Sequence, residues 1–164
     1  MFEPDVGALF ALFREIGIIE QLGRARLEAL LPAGLIAPHF AVLSHLNTRG
    51  DGAVPIDMAR AFQVPKTSMT HTLKGLEKEG YIEIRPNPQD GRSKTVWMTP
   101  KGQGLFTDTV AQLGPAMGDV AQALGPDKLM SILPVLTDLR IYMDAARDVP
   151  DPQGASARVG AVGK

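Results

Sequence analysis

The sequence predicts a mainly α-helical fold with one small β-hairpin, and three observations support this prediction. Apolar residues recur at helical spacing from residue 6 onward, two short runs at 81–85 and 95–99 alternate like strands, and a heptad pattern follows them. With 164 residues, 45% of them hydrophobic, the chain is long enough to bury the core of one globular domain.

The first predicted helix lies within residues 5–31 and carries a wide apolar stripe. Its apolar residues follow the i, i+3, i+4, i+7 pattern, and Leu12, Ile18 and Ile19 widen the stripe further. We therefore expect this helix to bury more than one face, as a helix shared between two subunits does. The segment PAGLIAP ends it, and Pro38 begins a second helix that extends to about Leu46.

Residues 55–80 predict two helices joined by a tight turn. The first is short, a Val-Pro pair at 64–65 separates it from the second, and Gly80 caps the second. The residues expected to face inward are Met58, Ala59 and Phe62 on the first helix and Met69, Leu73 and Leu76 on the second.

The two predicted strands leave nine residues, Pro86 to Lys94, between them. A tight hairpin needs only two, so we expect this segment to project as a long loop. Two helices, a tight turn and a ribbon with a projecting tip make a winged helix-turn-helix.

The C-terminal part predicts two further helices. Thr99-Pro100 is a good helix start, and the helix after it carries a heptad seam: Phe106, Val110, Leu113, Met117, Val120 and Leu124. The seam predicts a partner helix, and a last helix extends to about Arg147. The predicted fold is mainly α, a winged helix-turn-helix with a small β-hairpin wing and a helical dimerisation region built from both termini.

These elements form one predicted domain over residues 1–147. The dimerisation helices occupy 5–31 and 100–147, and the winged lobe occupies 38–99. The tail 148–164 is rich in Pro, Gly, Ala and Ser and is predicted to be disordered.

Several function classes are unsupported by the sequence. It has no cysteine, which excludes disulfides, thiolate metal sites and thiol nucleophiles. It shows none of the phosphate-loop, metalloprotease or serine-hydrolase motifs, so we predict neither an enzyme nor a cofactor. No apolar run of membrane length and no signal peptide is evident, which favours a cytoplasmic protein without a membrane partner.

His39 and His45 are six residues apart, which favours core or capping histidines over metal ligands.

Charge points to nucleic acid as the partner. Residues 49–101 hold nine Lys or Arg and six Asp or Glu, whereas the two flanking segments are acidic. Arg92 suits a narrow minor groove, and Asp90 is expected to accept a hydrogen bond from its guanidinium and fix its orientation. The residues predicted to contact duplex DNA are Lys66, Thr67, Ser68, Thr70, His71, Lys74, Asp90, Arg92 and Lys94.

The wing resembles that of MarR-type transcriptional regulators. Asp90, Arg92 and Ser93 look like that family's Asp-x-Arg wing, Thr99 and Gly102 look like its Leu-Thr-x-x-Gly continuation, and VPKTSMTHTLKGLEKEGYI resembles its recognition helix. The resemblance covers about residues 5–147. In two places the sequence departs from the family: His71 stands where arginine is common, and Met58 stands where leucine is usual.

The resemblance implies a homodimer that acts as a bacterial-type regulator of transcription, such as a repressor, on a pseudo-palindromic operator. It also implies a small effector, aromatic or anionic, held between the winged lobe and the dimer region. Arg14, His39, Phe40 and Leu43 are the residues expected at that seam. The alternative is a winged-helix protein-interaction module without DNA binding.

Overall fold

A computed structural model describes residues 5–147 as six helices and one two-stranded sheet. The elements are α1 (Val6–Glu28), α2 (Ala37–Arg49), α3 (Pro55–Ala61), α4 (Lys66–Lys78), β1 (Ile82–Asn87), β2 (Asp90–Met98), α5 (Pro100–Leu124) and α6 (Pro126–Arg147). Their order confirms the predicted fold class. The predicted tail 148–164 lies outside the described residues.

The described residues fall into two compact units that divide within α5, after Pro115. The first unit contains α1 to β2 and most of α5, and the second contains the end of α5 together with α6. Pro115 does not end α5, since the helix continues to Leu124.

The core of the first unit lies between α2, α3, α4 and the ribbon. Its most deeply buried hydrophobic residues are Val42, Leu43, Leu46, Met58, Leu73, Leu76, Ile82 and Val96. The predicted inward face of α4 is confirmed, since Met69, Leu73 and Leu76 are all buried. Met58 fills the core, as its apolar character requires.

Helix α1 has no buried residue, although it is rich in apolar side chains. Asp5 caps its start, because the carboxylate accepts the N–H of Ala8 at 3.2 Å. Phe10 is 73% exposed and Leu22 is 67% exposed within the single chain. A face of this kind is typical of a helix that another chain covers.

The start of α5 fits closely against the segment that precedes β1. The Thr99 hydroxyl donates to the Gly80 carbonyl at 2.7 Å and accepts the N–H of Gly102 at 3.1 Å, so Thr99 caps the helix as predicted. A Cβ at position 102 would overlap the Tyr81 carbonyl oxygen, which explains why glycine stands there.

The ribbon differs from the predicted long loop. Strands β1 and β2 are antiparallel, and they extend through most of the segment 86–94, so only residues 88 and 89 form the turn. Pro86 lies opposite Lys94 and Asn87 lies opposite Asp90, with a bulge between the two pairs. The wing is therefore a paired ribbon with a short tip rather than an open nine-residue loop.

The second unit exposes much of its apolar surface. Gly125, with φ +85°, separates the end of α5 from α6, and Pro134 lies inside α6. The exposed apolar residues here include Met117, Val120, Leu124, Ile132, Leu133, Leu136 and Met143. The predicted seam residues of α5 in this unit thus face outward in the single chain.

Candidate nucleic-acid interface

Helix α4 presents a polar outer face opposite its buried stripe. All six predicted contacts on this helix are exposed: Lys66, Thr67, Ser68, Thr70, His71 and Lys74. The hydroxyl of Thr70 donates to the Lys66 carbonyl at 2.9 Å, so the hydroxyl oxygen remains free to accept. Helix α4 is therefore amphipathic, and its exposed polar face can enter a major groove.

A groove of about 390 Å³ joins the outer edge of α4 to the wing and the start of α3. Five of the nine predicted contacts line it together: Lys66, Thr70, Lys74, Arg92 and Lys94. Residues far apart in sequence are thereby brought to one surface. The other four predicted contacts, Thr67, Ser68, His71 and Asp90, lie outside the groove.

The groove has a strongly positive character. Four of its lining side chains are cations, and Glu77 is its only carboxylate. Within residues 5–147, the ion pairs join other groups: Arg14 with Glu15, Arg24 with Glu20, Arg60 with Asp57, and Arg85 with Glu83. The four groove cations are therefore free to meet an anion such as a phosphate backbone.

The tip of the wing is held by side-chain hydrogen bonds. Asn87 Nδ2 donates to Ser93 Oγ at 2.8 Å, and Asn87 Oδ1 accepts the N–H of Gln89 at 3.0 Å. Ser93 Oγ donates in turn to the Asp90 carbonyl at 3.2 Å. These bonds fix the backbone from which the Arg92 side chain extends.

The predicted role of Asp90 requires a correction. Its Oδ1 accepts the backbone N–H of Arg92 at 3.0 Å, and no ion pair joins its carboxylate to the Arg92 guanidinium in the described chain. An Asp side chain in a turn commonly accepts the backbone N–H two residues further on, as here. Asp90 therefore shapes the turn, and the guanidinium stays free.

Arg85 lies on β1 of the same ribbon but does not share the groove with Arg92 and Lys94. Its guanidinium bonds Glu83 at 2.8 Å and lies over the Trp97 ring, 4.6 Å from the ring centroid. Neighbouring groups on the ribbon thus hold this arginine, and it does not line the groove.

Both predicted structural histidines have apolar or capping surroundings. His39 Nδ1 accepts the N–H of Ile36 at 3.0 Å, so its ring caps the start of α2. Burial lowers the pKa of His39, and the charge of His71 acts in the same direction. His45 packs edge-on against Phe62, and burial, with a smaller effect from Arg49, lowers its pKa as well.

The predicted effector residues are dispersed in the first unit. Arg14 is exposed on α1 beside Glu15, and Phe40 stacks on Phe106 with ring centroids 5.5 Å apart. Leu43 is wholly buried in the core. A cavity of about 320 Å³ lies elsewhere, where Arg24 and Pro38 approach Ser68 and Thr72 of α4, and none of the four predicted residues lines it.

Sequence reasoning missed two residues that support the site. Asn87 and Ser93 build the wing tip, yet an isolated Asn or Ser in a predicted loop is too common to single out. The resemblance included Ser93 without assigning it this role. Within residues 5–147, no cluster of three or more metal-ligating side chains occurs, and no helix combines the length and the apolar composition of a membrane span.

Known proteins are similar to this chain in sequence and in fold. Residues 33–93 match the model of the MarR family. The transcriptional activatory protein BadR of Rhodopseudomonas palustris is 26% identical over 145 residues, which cover 84% of this chain and 81% of BadR.

Solved structures also share the fold. A mutant of MarR from E. coli, complexed with operator DNA, has a TM-score of 0.70 at 22% identity and covers 84% of this chain and 99% of its own. BpsR of Bordetella bronchiseptica, whose DNA binding is regulated by 6-hydroxynicotinic acid, has a TM-score of 0.67 at 20% identity, covering 79% of this chain and 98% of its own.

Proposed function

We propose that the chain is a MarR-family transcriptional regulator and that it acts as a homodimer, which binds duplex DNA through α4 and the wing. The observation that carries this proposal is the groove that unites Lys66, Thr70 and Lys74 of α4 with Arg92 and Lys94 of the ribbon. Helix α4 enters the major groove, and the wing follows the backbone towards the adjacent minor groove.

The exposed apolar faces support a dimer. Helix α1 buries none of its residues within the chain, and the α5 seam residues Val110, Met117 and Val120 are exposed in the unit to which each belongs. A second copy of the chain would cover such faces. Two-fold symmetry then imposes inverted half-sites, with centres about 34–36 Å apart on the operator.

Arg92 provides the first test of this function. A guanidinium that enters the minor groove contributes on the order of 1–3 kcal/mol, so Arg92→Ala should raise Kd at least fivefold in fluorescence anisotropy with a selected operator duplex. Arg85→Ala is the matched control, because this arginine is on the same ribbon but bonds Glu83 and lies outside the groove. Equal losses for the two variants would contradict the proposed role of the groove.

Salt dependence distinguishes DNA binding from the alternative, a winged-helix module that binds only protein. If Lys94 neutralises one phosphate per protomer, Lys94→Gln should flatten the slope of log K against log salt by about 1.8 for the dimer. Lys128→Gln, an exposed lysine on α6, should leave the slope unchanged. Binding that does not weaken with salt in the parent protein would favour the protein-interaction module.

A small-molecule effector is the finer part of the proposal. We place it at the seam of α1, α2 and the start of α5, where the stacked pair Phe40 and Phe106 suits an aromatic ring. The exposed cation of Arg14 on α1 is the group that we propose attracts its acid group. Leu43 supports this seam from the core rather than by contact, and His39 fixes the start of α2 beside it. BpsR, which shares the fold, responds to an aromatic acid.

The effector is tested with aromatic acids, including 6-hydroxynicotinic acid, by thermal shift and by operator release. A ligand that weakens operator affinity tenfold must bind the released state about 1.4 kcal/mol more tightly than the bound state. Arg14→Gln should reduce both effects, whereas Arg26→Gln near the end of α1 should reduce neither. Stabilisation without operator release would refute a regulatory role for this seam.

A further inference from the structure

The His39 ring links the start of α2 to the recognition helix α4. On one side its Nδ1 accepts the N–H of Ile36 at 3.0 Å, which only a ring with an unprotonated Nδ1 can do. On the other side its Nε2 faces the backbone of α4, since a Cβ added to Gly75 would lie 2.8 Å from that nitrogen. The side chain is buried, with 8% of its surface exposed.

Charged and titratable groups surround this ring on two helices. His71 lies one turn before Gly75 on α4, and its charge acts on His39. On α1, the Glu28 carboxylate accepts the N–H of Ala37 at 2.8 Å, so its charge is already engaged at the same helix start. The ring therefore has a second imidazole on the side of α4, and its Nδ1 bonds a backbone N–H rather than a carboxylate.

We propose that His39 is a positioning residue that holds α4 in its DNA-binding arrangement only while its ring is neutral, so that acid weakens operator binding. The proposal rests on the function proposed above, because its effect on DNA requires α4 to be the recognition helix. Protonation of Nδ1 removes the acceptor for Ile36, leaves that N–H unpaired and places a positive charge in a buried position that faces His71.

The direction of the effect follows from linkage. Because burial lowers the pKa of His39 from its ordinary 6.5, the folded chain binds this proton less readily than the unfolded chain does. The stability that neutral His39 provides is complete above about pH 6.5 and is lost as the pH falls towards the lowered pKa. In the folded chain the ring itself takes up the proton around the lowered pKa, so the contact with α4 is lost there.

The experiment measures operator affinity by fluorescence anisotropy at fixed salt between pH 7.5 and 5.5. It uses His71→Asn as the background, so that no second histidine lies beside His39 on α4. Affinity in this background should fall steadily towards pH 5.5, and the limiting fall, reached only below both pKa values, is tenfold for each unit by which the pKa of His39 is lower in the bound than in the free protein. Adding His39→Asn, which keeps an acceptor for Ile36 but does not titrate, should abolish the fall.

His45→Asn in the same background is the control and should keep the fall, because His45 is also partly buried but packs against Phe62 rather than α4. A fall that persists in the His39→Asn protein, or no fall in the background, overturns the inference. Absence of duplex binding by the unmodified protein at every pH would instead contradict the proposed function.

Nuclear magnetic resonance of the unmodified protein without DNA tests the structural link independently, including the case in which His39→Asn does not fold. The amide resonance of Gly75 should shift with the same midpoint as the His39 ring, below that of an ordinary histidine. If the chemical shift of the Gly75 amide does not change as His39 titrates, the inference is overturned, whether or not the protein binds DNA.

Discussion

Asp90 offers a sharp test of how the wing presents Arg92. Its Oδ1 accepts the backbone N–H of Arg92 at 3.0 Å, and this bond needs an oxygen acceptor but no negative charge. Asp90→Asn keeps such an acceptor, whereas Asp90→Ala removes it. If the carboxylate instead clamped the guanidinium, both variants would lose the interaction.

The expected magnitudes separate the two variants. The bond is exposed, so its loss costs about 0.5–1 kcal/mol in each wing, and two wings in a dimer raise Kd roughly 5- to 30-fold for Asp90→Ala. Loss of the Asp90 charge, if it lies about 10 Å from a phosphate, relieves no more than about 0.4 kcal/mol of repulsion in water. Asp90→Asn should therefore bind DNA as tightly as the parent protein or slightly more tightly.

Fluorescence anisotropy with one operator duplex, at two salt concentrations, measures both variants. Screening shortens the range of charge repulsion to about 8 Å at 0.15 M salt, so any gain for Asp90→Asn should shrink there, while the loss for Asp90→Ala should persist. If Asp90→Asn loses as much operator affinity as Asp90→Ala, the backbone role of Asp90 is refuted. A bond between its carboxylate and the Arg92 guanidinium would then be favoured.

Two further predictions concern folding and assembly. Gly102→Ala should lower the free energy of unfolding, measured in urea, by about 1–3 kcal/mol, because the added Cβ would overlap a backbone carbonyl. Gly104→Ala is the control: its Cβ would meet nothing within 4 Å, so it should raise the free energy of unfolding by up to about 1 kcal/mol. Similar values for the two variants would show that the close approach at 102 is unimportant. Val120→Asp should yield monomer or aggregate in sedimentation velocity, since an unpaired charge is costly in a packed interface; a monomeric parent at micromolar concentration would contradict the dimer itself.

The periodic parts of the fold could be predicted from the sequence because burial repeats along a helix. Met69, Leu73 and Leu76 occupy the core face of α4 as their spacing requires, and the polar residues between them are exposed. Thr99 could be recognised as a helix cap because hydroxyl caps have a local chemical cause.

The wing could not be predicted to the same accuracy. Proline at 86 and 88 and glycine at 91 interrupt the alternation that marks a strand, so the paired segment resembled a loop. The pairing there depends on a bulge and on the bond between Asn87 and Ser93, neither of which has a periodic pattern. The cavity between Arg24 and Thr72 was missed for a related reason, because its lining residues are distant in sequence.

The side-chain hydrogen bonds of the wing tip all join residues within 87–93, so the tip is a local structural module. Its geometry depends on local acceptors and donors rather than on the core, while the base of the ribbon is anchored separately by the pairing of Ala53 with Val96. A tip of different sequence that preserves these local bonds can therefore replace it without redesign of the lobe. In the proposed binding mode, the contact of the wing with the minor groove and the contact of α4 with the major groove are then two properties that protein engineering, or natural divergence, can alter one at a time.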